Sequence, residues 1–220
     1  MAIVAAFHAL DNELNALVIE LRSFASSRAP VNASNRFSML DECLLEGLLS
    51  RVWQAWCKFG RACVINSCVG STSTNGVAIQ ALPDAHSEAH VSAAAIRAKN
   101  KQNPPYWGST NTVLRVEPTW GDVDVLNKIL SKLKPANHAQ LLAAFSSIYS
   151  SAKALQLIRN GSAHHNSQSL ADILNLQSSY VVFRISHPTQ ALFWLEPTTS
   201  DFLVTFAIDE LKVAAQAAIA

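Results

Sequence analysis

Arg159 and His164 are the residues of this 220-residue chain whose types and spacing could do chemistry. They stand in the run Ile158-Arg159-Asn160-Gly161-Ser162-Ala163-His164-His165-Asn166. A guanidinium that stays charged at every accessible pH thus lies close to an imidazole that titrates near neutrality. Metal-free cleavage of RNA uses such a pair. A 2′-hydroxyl must lose a proton as it attacks the adjacent phosphorus, and the leaving 5′-oxygen must gain one. An imidazole can serve either step. The phosphorane-like transition state gathers negative charge, which the forked donors of an Arg can hold.

The element that must position this pair is a helix beginning near Asn137, with apolar residues at Leu141, Phe145, Ile148, Ala152 and Leu155. Steps of three and four carry that stripe onward to Arg159. A guanidinium at the end of a packed stripe is costly unless something pairs with it or a cleft keeps it wet. The ordinary reading is an Arg that lays its stem over apolar surface and reaches solvent. The neighbouring imidazoles favour a site instead. On an ideal helix, five residues turn the chain so that Arg159 and His164 point about 140° apart. They meet only if the helix loosens at Gly161 or if a second protomer supplies one of them.

The same residues resemble the signature of the HEPN superfamily of prokaryotic helical ribonucleases. That signature is an Arg, four to six residues, then a His, at the end of a long helix, commonly with Asn directly after the Arg, as Asn160 is here. The resemblance covers about residues 137–172 and is absent from about 70–121. It implies an all-α, HEPN-like helical bundle and a metal-independent endoribonuclease acting as a toxin or phage-defence effector. Arg159 and His164 would be catalytic, Asn160 a polar orienter, and the active site would form between two protomers of a homodimer. RNA is the implied substrate, an antitoxin protein a further partner, and no cofactor or metal is required. His165 also satisfies the spacing, so two imidazoles compete for the role, with His164 favoured. Some toxins of the family place a modified Tyr two residues after the His. Asn166 stands there in this chain, and that regulation is not expected.

Bulk properties bound the rest. Half of the residues are hydrophobic, 15% are charged and the formal net charge is +1. That is ample for a core, with a surplus that favours an oligomer. A polyanion would have to be held by local placement of Lys and Arg. One domain over 1–220, or a tight pair of subdomains, fits the length. The first ten residues lack a basic leading region and a cleavage site, and no uncharged apolar run approaches the ~20 residues of a membrane span. A cytoplasmic protein without membrane contact is expected. Cys43, Cys57, Cys63 and Cys68 show no Cys-x-x-Cys pairing and read as reduced, mostly packed thiols. The glycosylation-type tripeptides at Asn32 and Asn160 carry no meaning without secretion.

Amphipathic periodicity predicts a first helix to about Ser26, through Val4, Phe7, Leu10, Leu14, Leu17, Val18 and Leu21, stopped at Ala29-Pro30. A second begins at Asp41 with a face wide enough to be enclosed on several sides. A third runs from an Asp84 cap to Lys99. An irregular insertion covers about 70–121, with a short strand at Val113–Val116. Asp122 caps a helix ended by Pro135, another helix runs from Ser169 to Ser178, a β-hairpin turns at His187-Pro188 within 180–195, and a last helix starts after Ser200 or Asp201.

Other candidates are weaker. His86 and His90 lie one helical turn apart, but Glu88 is displaced from the zinc-protease order, and a solvated helix face is the better reading. Glu46 shares the second helix with Glu42 and Arg51; it could orient Arg159 across the bundle, or form a surface ion pair. The five Trp read as core, while Tyr106 and Trp107 could stack on RNA from a loop. From other functional classes, the chain also fits a non-catalytic helical module that binds RNA or protein, or a structural bundle whose Arg and His pack by coincidence.

Overall fold

In a computed structural model, residues 2–28, 37–110, 114–164 and 166–220 are described. The expected helix stop at Ala29-Pro30, the Asn32 tripeptide, Val113 and His165 lie outside them. The chain is all-α in character, with two short strands: α1 Ala2–Arg28, α2 Met39–Val69, β1 Ser71–Thr72, β2 Ala78–Ile79, α3 Glu88–Asn100, α4 Val123–Leu133, α5 His138–Ser147, α6 Tyr149–Ala163, α7 Ser167–Leu174 and α8 Leu203–Ile219. It divides into two compact units. One comprises Met1–Asp11, Trp56–Tyr149 and Lys212–Ala220, the other Asn12–Ala55 and Ser150–Leu211.

The stripe of α1 buries Ile3, Leu10, Leu14, Leu17, Leu21 and Phe24, while Val4 and Val18 are only half-buried. By length and composition α1 is apolar enough to cross a membrane, with 22% of its most apolar window buried; core helices of soluble proteins meet the same measure. The start of α2 precedes Asp41 because Ser38 and Asp41 cap each other. The Ser38 N–H and hydroxyl donate to Asp41 Oδ2 at 2.9 and 2.8 Å, and the Asp41 N–H donates back to Ser38 Oγ at 3.2 Å. The enclosure expected along all of α2 fails at its beginning, where Met39, Leu40 and Leu44 are exposed.

In the first unit, Trp56 packs its ring on Phe59 and Phe145 and donates from Nε1 to the Gly121 carbonyl at 3.2 Å. The segment before α4 is therefore pressed onto α2. Gly60 makes that approach possible, since a Cβ there would lie 2.3 Å from the Trp120 carbonyl oxygen. Glu117 fastens the same segment: it accepts from Arg61 Nε and Nη2 at 2.8 and 2.9 Å, from the Ser92 hydroxyl at 2.5 Å and from Trp120 Nε1 at 3.0 Å. Burial pushes its carboxyl up, but these donors outweigh burial and bring its pKa down to about 2.

Several expectations for this unit change. The third helix begins at Glu88 with Ser87 as cap, because the Ser87 hydroxyl accepts the His90 N–H, while residues 83–87 hold only a turn and a bend. Leu114–Val116 is a 3₁₀ turn and not a strand. The 70–121 insertion instead contains the antiparallel pair β1–β2. Tyr106 is no stacking platform: it is buried, its hydroxyl donates to the Gln102 carbonyl, and Lys132 lies over its ring. Asp122 caps α4 through Asp124 and Val125, as expected, and Lys134 closes the helix in the left-handed region before Pro135.

The helix expected from Asn137 through Arg159 is two. α5 ends at Ile148, whose N–H bonds the Ser146 carbonyl, and the Ser147 hydroxyl donates back to the Ala144 carbonyl. A serine hydroxyl that bonds its own backbone, as that of Ser147 does, competes with helix continuation. Leu141, Phe145, Ile148, Ala152 and Leu155 are nevertheless all buried.

In the second unit, α7 starts earlier than expected, at Ser167, under a reciprocal Asn166/Ser169 cap, and its last turn over Asn175–Ser179 is 3₁₀. No hairpin forms over 180–195. Val181 and Leu195 make one isolated bridge, and Pro188–Phe193 coils into a 3₁₀ turn with Pro188 in its first turn. His187 caps that turn by accepting the Thr189 N–H, and Trp194 Nε1 donates to the Phe183 carbonyl at 3.1 Å. Backbone groups satisfied in this way have no need of a ladder.

Candidate active site

α6 runs unbroken through Gly161. Its hydrogen bonding extends past the helix, with the His164 N–H donating to the Asn160 carbonyl at 2.8 Å. The loosening that would let Arg159 and His164 meet within one chain does not occur. Gly161 is a packing position: a Cβ there would fall 2.5 Å from Ile173 Cδ1 and 3.6 Å from Pro188 Cβ. The bare glycine lets α7 and the Pro188 turn close onto the last turn of α6, and so carries His187 to that end of the helix.

On its other side the last turn of α6 opens onto a pocket. Arg159, Ser162 and Ala163, spaced as one helical face, line a pocket of about 160 Å³ with Glu46, Leu49 and Ser50, spaced likewise on α2. Small side chains at Ser50, Ser162 and Ala163 create the concavity between the longer Arg and Glu. Its volume admits a group of phosphate size, well below what a drug-sized ligand fills. Arg159 is half-buried, and its Nη1 donates to Asn160 Oδ1 at 3.1 Å. A guanidinium has five N–H donors. Among the described residues Asn160 is the polar partner that Arg159 has, which leaves donors for a ligand.

Glu46 is 41% exposed, and its Oε1 lies 3.5 Å from Nε2 of His187, whose side chain is 14% exposed. Arg51, also on α2, instead donates to Glu13 from Nε and Nη2 at 3.0 and 2.9 Å. Arg159 and Glu46 thus share one pocket. His164 is exposed beyond the end of α6 and is not among the lining residues; its carbonyl accepts from the Ser169 hydroxyl and Asn166 Nδ2. The sequence does not mark His187 as part of a site. With Pro188 it signals only a turn, and its pairing with Glu46 has no local signal.

Elsewhere, His86 and His90 stand edge to face at 5.3 Å between ring centroids, and His90 Nδ1 lies 2.9 Å from Ser87 Oγ. Among the described residues no group of three or more His, Cys, Asp or Glu is placed to hold a metal ion. Cys63 and Cys68 are buried, and burial pushes the Cys68 thiol up to about 12; Cys43 is exposed. Both buried thiols are inert packing groups.

Comparison with known proteins finds no match for this chain among protein-family models, curated proteins or solved structures.

Proposed function

We propose that this chain is a HEPN-type, metal-independent endoribonuclease, cytoplasmic and homodimeric, acting as a toxin or phage-defence effector. The observation that carries the reading is the Arg159 pocket. A guanidinium with donors to spare sits in a phosphate-sized concavity at the end of a helix, with His164 close by in sequence. Arg159 would hold the charge that develops on the phosphorane oxygens, and His164 would transfer a proton. Because α6 does not unwind, the two belong to one site only if the partner protomer supplies the imidazole. A groove of about 460 Å³ along α2, lined by Cys43, Leu44, Gly47 and Leu48, meets the Arg159 pocket at Ser50. This open apolar strip, with Met39 and Leu40 exposed beyond it, is the surface that supports dimerisation there.

The test is cleavage of total RNA by purified protein in EDTA, followed by mixing two inactive variants. Arg159→Ala and His164→Ala should each be inactive. After reassortment, the mixture should recover roughly a quarter of wild-type activity, because half the dimers are mixed and each holds one intact site of two. No recovery would place both groups in one protomer or remove His164 from the site. Binding of RNA by the wild type without any cleavage would favour the non-catalytic module.

A further inference from the structure

Cleavage by 2′-hydroxyl attack moves two protons, and His164 serves one of them in a single pass. The Arg159 pocket contains a second group able to handle a proton, Glu46, with an imidazole beside it. His187 Nε2 faces Glu46 Oε1 at 3.5 Å. On the far side of the ring, the Thr189 backbone N–H donates to Nδ1 at 3.4 Å, and the Thr189 hydroxyl lies 2.8 Å from the same nitrogen. Thr189 itself is fully buried. The Thr189 N–H donating to Nδ1 favours the tautomer with its proton on Nε2, the nitrogen nearer the carboxylate. At 3.5 Å the imidazole stands at ion-pair distance from Glu46, and the lone pairs of the carboxylate stay available in the pocket.

We infer that Glu46 is the general base of the Arg159 pocket and that His187 is its positioning residue; the inference rests on the ribonuclease reading above. The O2′ proton passes to Glu46, and the O2′ electron pair forms the new bond to phosphorus. The P–O5′ bond breaks with its electron pair on O5′, which takes a proton from the imidazolium of His164. Glu46 gains one proton and His164 loses one, so charge balances, and the products are a 2′,3′-cyclic phosphate and a 5′-hydroxyl. Arg159 stabilises the oxygens of phosphorus between these two transfers. Ser50 and Ser162 are small residues of the lining that Glu46 and Arg159 share.

The experiment compares two dinucleotide RNAs, one with the ordinary 5′-oxygen leaving group and one with sulfur in its place, which departs without needing a proton. Glu46→Gln should lower kcat by about 10²–10⁴-fold on both, the range of general-base loss. His164→Ala should be impaired on the oxygen substrate and largely restored on the sulfur one. His187→Phe should lower kcat by roughly 10–100-fold with KM little changed, as a misplaced base does. His187→Gln, whose amide N–H can replace Nε2–H, should recover most of that loss. A purely structural His187 would show lower thermal stability and no such recovery. Wild-type rates in Glu46→Gln beside an inactive Arg159→Ala would overturn the inference and spare the ribonuclease reading. Restoration of Glu46→Gln by the sulfur substrate would make Glu46 the acid and overturn it as well. If the wild type cleaves neither substrate, both fall together.

Discussion

Replacing Glu117 by Gln removes one charge while keeping the shape of the side chain, and the structure sets the size of the effect. Glu117 is 13% exposed and takes four hydrogen bonds, from Arg61 twice, Ser92 and Trp120. Burial alone would raise its pKa, but the donors together bring it from the ordinary 4.5 down to about 2. A depression of that size corresponds to about 3 kcal/mol of stability. Arg61 is partly open to water and also pairs with the largely exposed Glu88 at 2.9 Å, so solvent screening reduces the expected loss to about 2 kcal/mol. The sign follows from linkage. The folded pKa lies below the unfolded one, so the contribution is complete above pH 4.5 and disappears as pH falls from 4.5 through about 2. Urea unfolding of wild type and Glu117→Gln at pH 7, 5, 4 and 3 is the assay. The gap should be near 2 kcal/mol at pH 7 and 5 and should narrow progressively at pH 4 and 3. An equal gap at pH 7 and pH 3 would refute the assignment of this stability to the Glu117 charge.

Gly60→Ala should destabilise by about 2 kcal/mol or more, because its Cβ would sit 2.3 Å from the Trp120 carbonyl, backbone that cannot move aside as a side chain can; thermal unfolding measures it. Expression of the wild-type chain should slow bacterial growth, and Arg159→Ala or His164→Ala should relieve it; equal toxicity of both folded variants would disprove the assignment. Sedimentation at micromolar concentration should give a dimer of the 23.8 kDa chain, whereas a monomer that still cleaves RNA would refute the shared site. RNA affinity should fall steeply with salt. Arg159→Ala should flatten the slope of log affinity against log salt by about 0.7 for each single-strand phosphate that the guanidinium neutralises.

Local periodicity and capping are enough to identify much of the helical framework. The stripes of α1 and α5–α6 repeat every three or four residues, and Asp122 and Pro135 bracket α4 by chemistry that acts within one turn. Arg159 stands out in the sequence as a charge at the end of an apolar stripe, and Glu46 as one of several charged groups on α2. Their common pocket requires α2 and α6 to pack, which no spacing within either segment specifies. The break at Ile148 is hidden in the sequence because the serine pair before it is a weak stop signal beside Pro or Gly.

The last turn of α6 shows where the division falls. Its sequence alone determined that Arg159 and His164 would point apart on a regular helix, since that depends only on residues per turn. Whether the helix would stay regular at Gly161 depended on contacts from elsewhere. Ile173 and Pro188 occupy the space that a side chain at Gly161 would fill, which anchors that turn and brings His187 to Glu46. A glycine reads as freedom in the sequence because its backbone is unrestrained there; once two packed groups lean on it, the missing Cβ becomes a contact surface and the turn is held as helix.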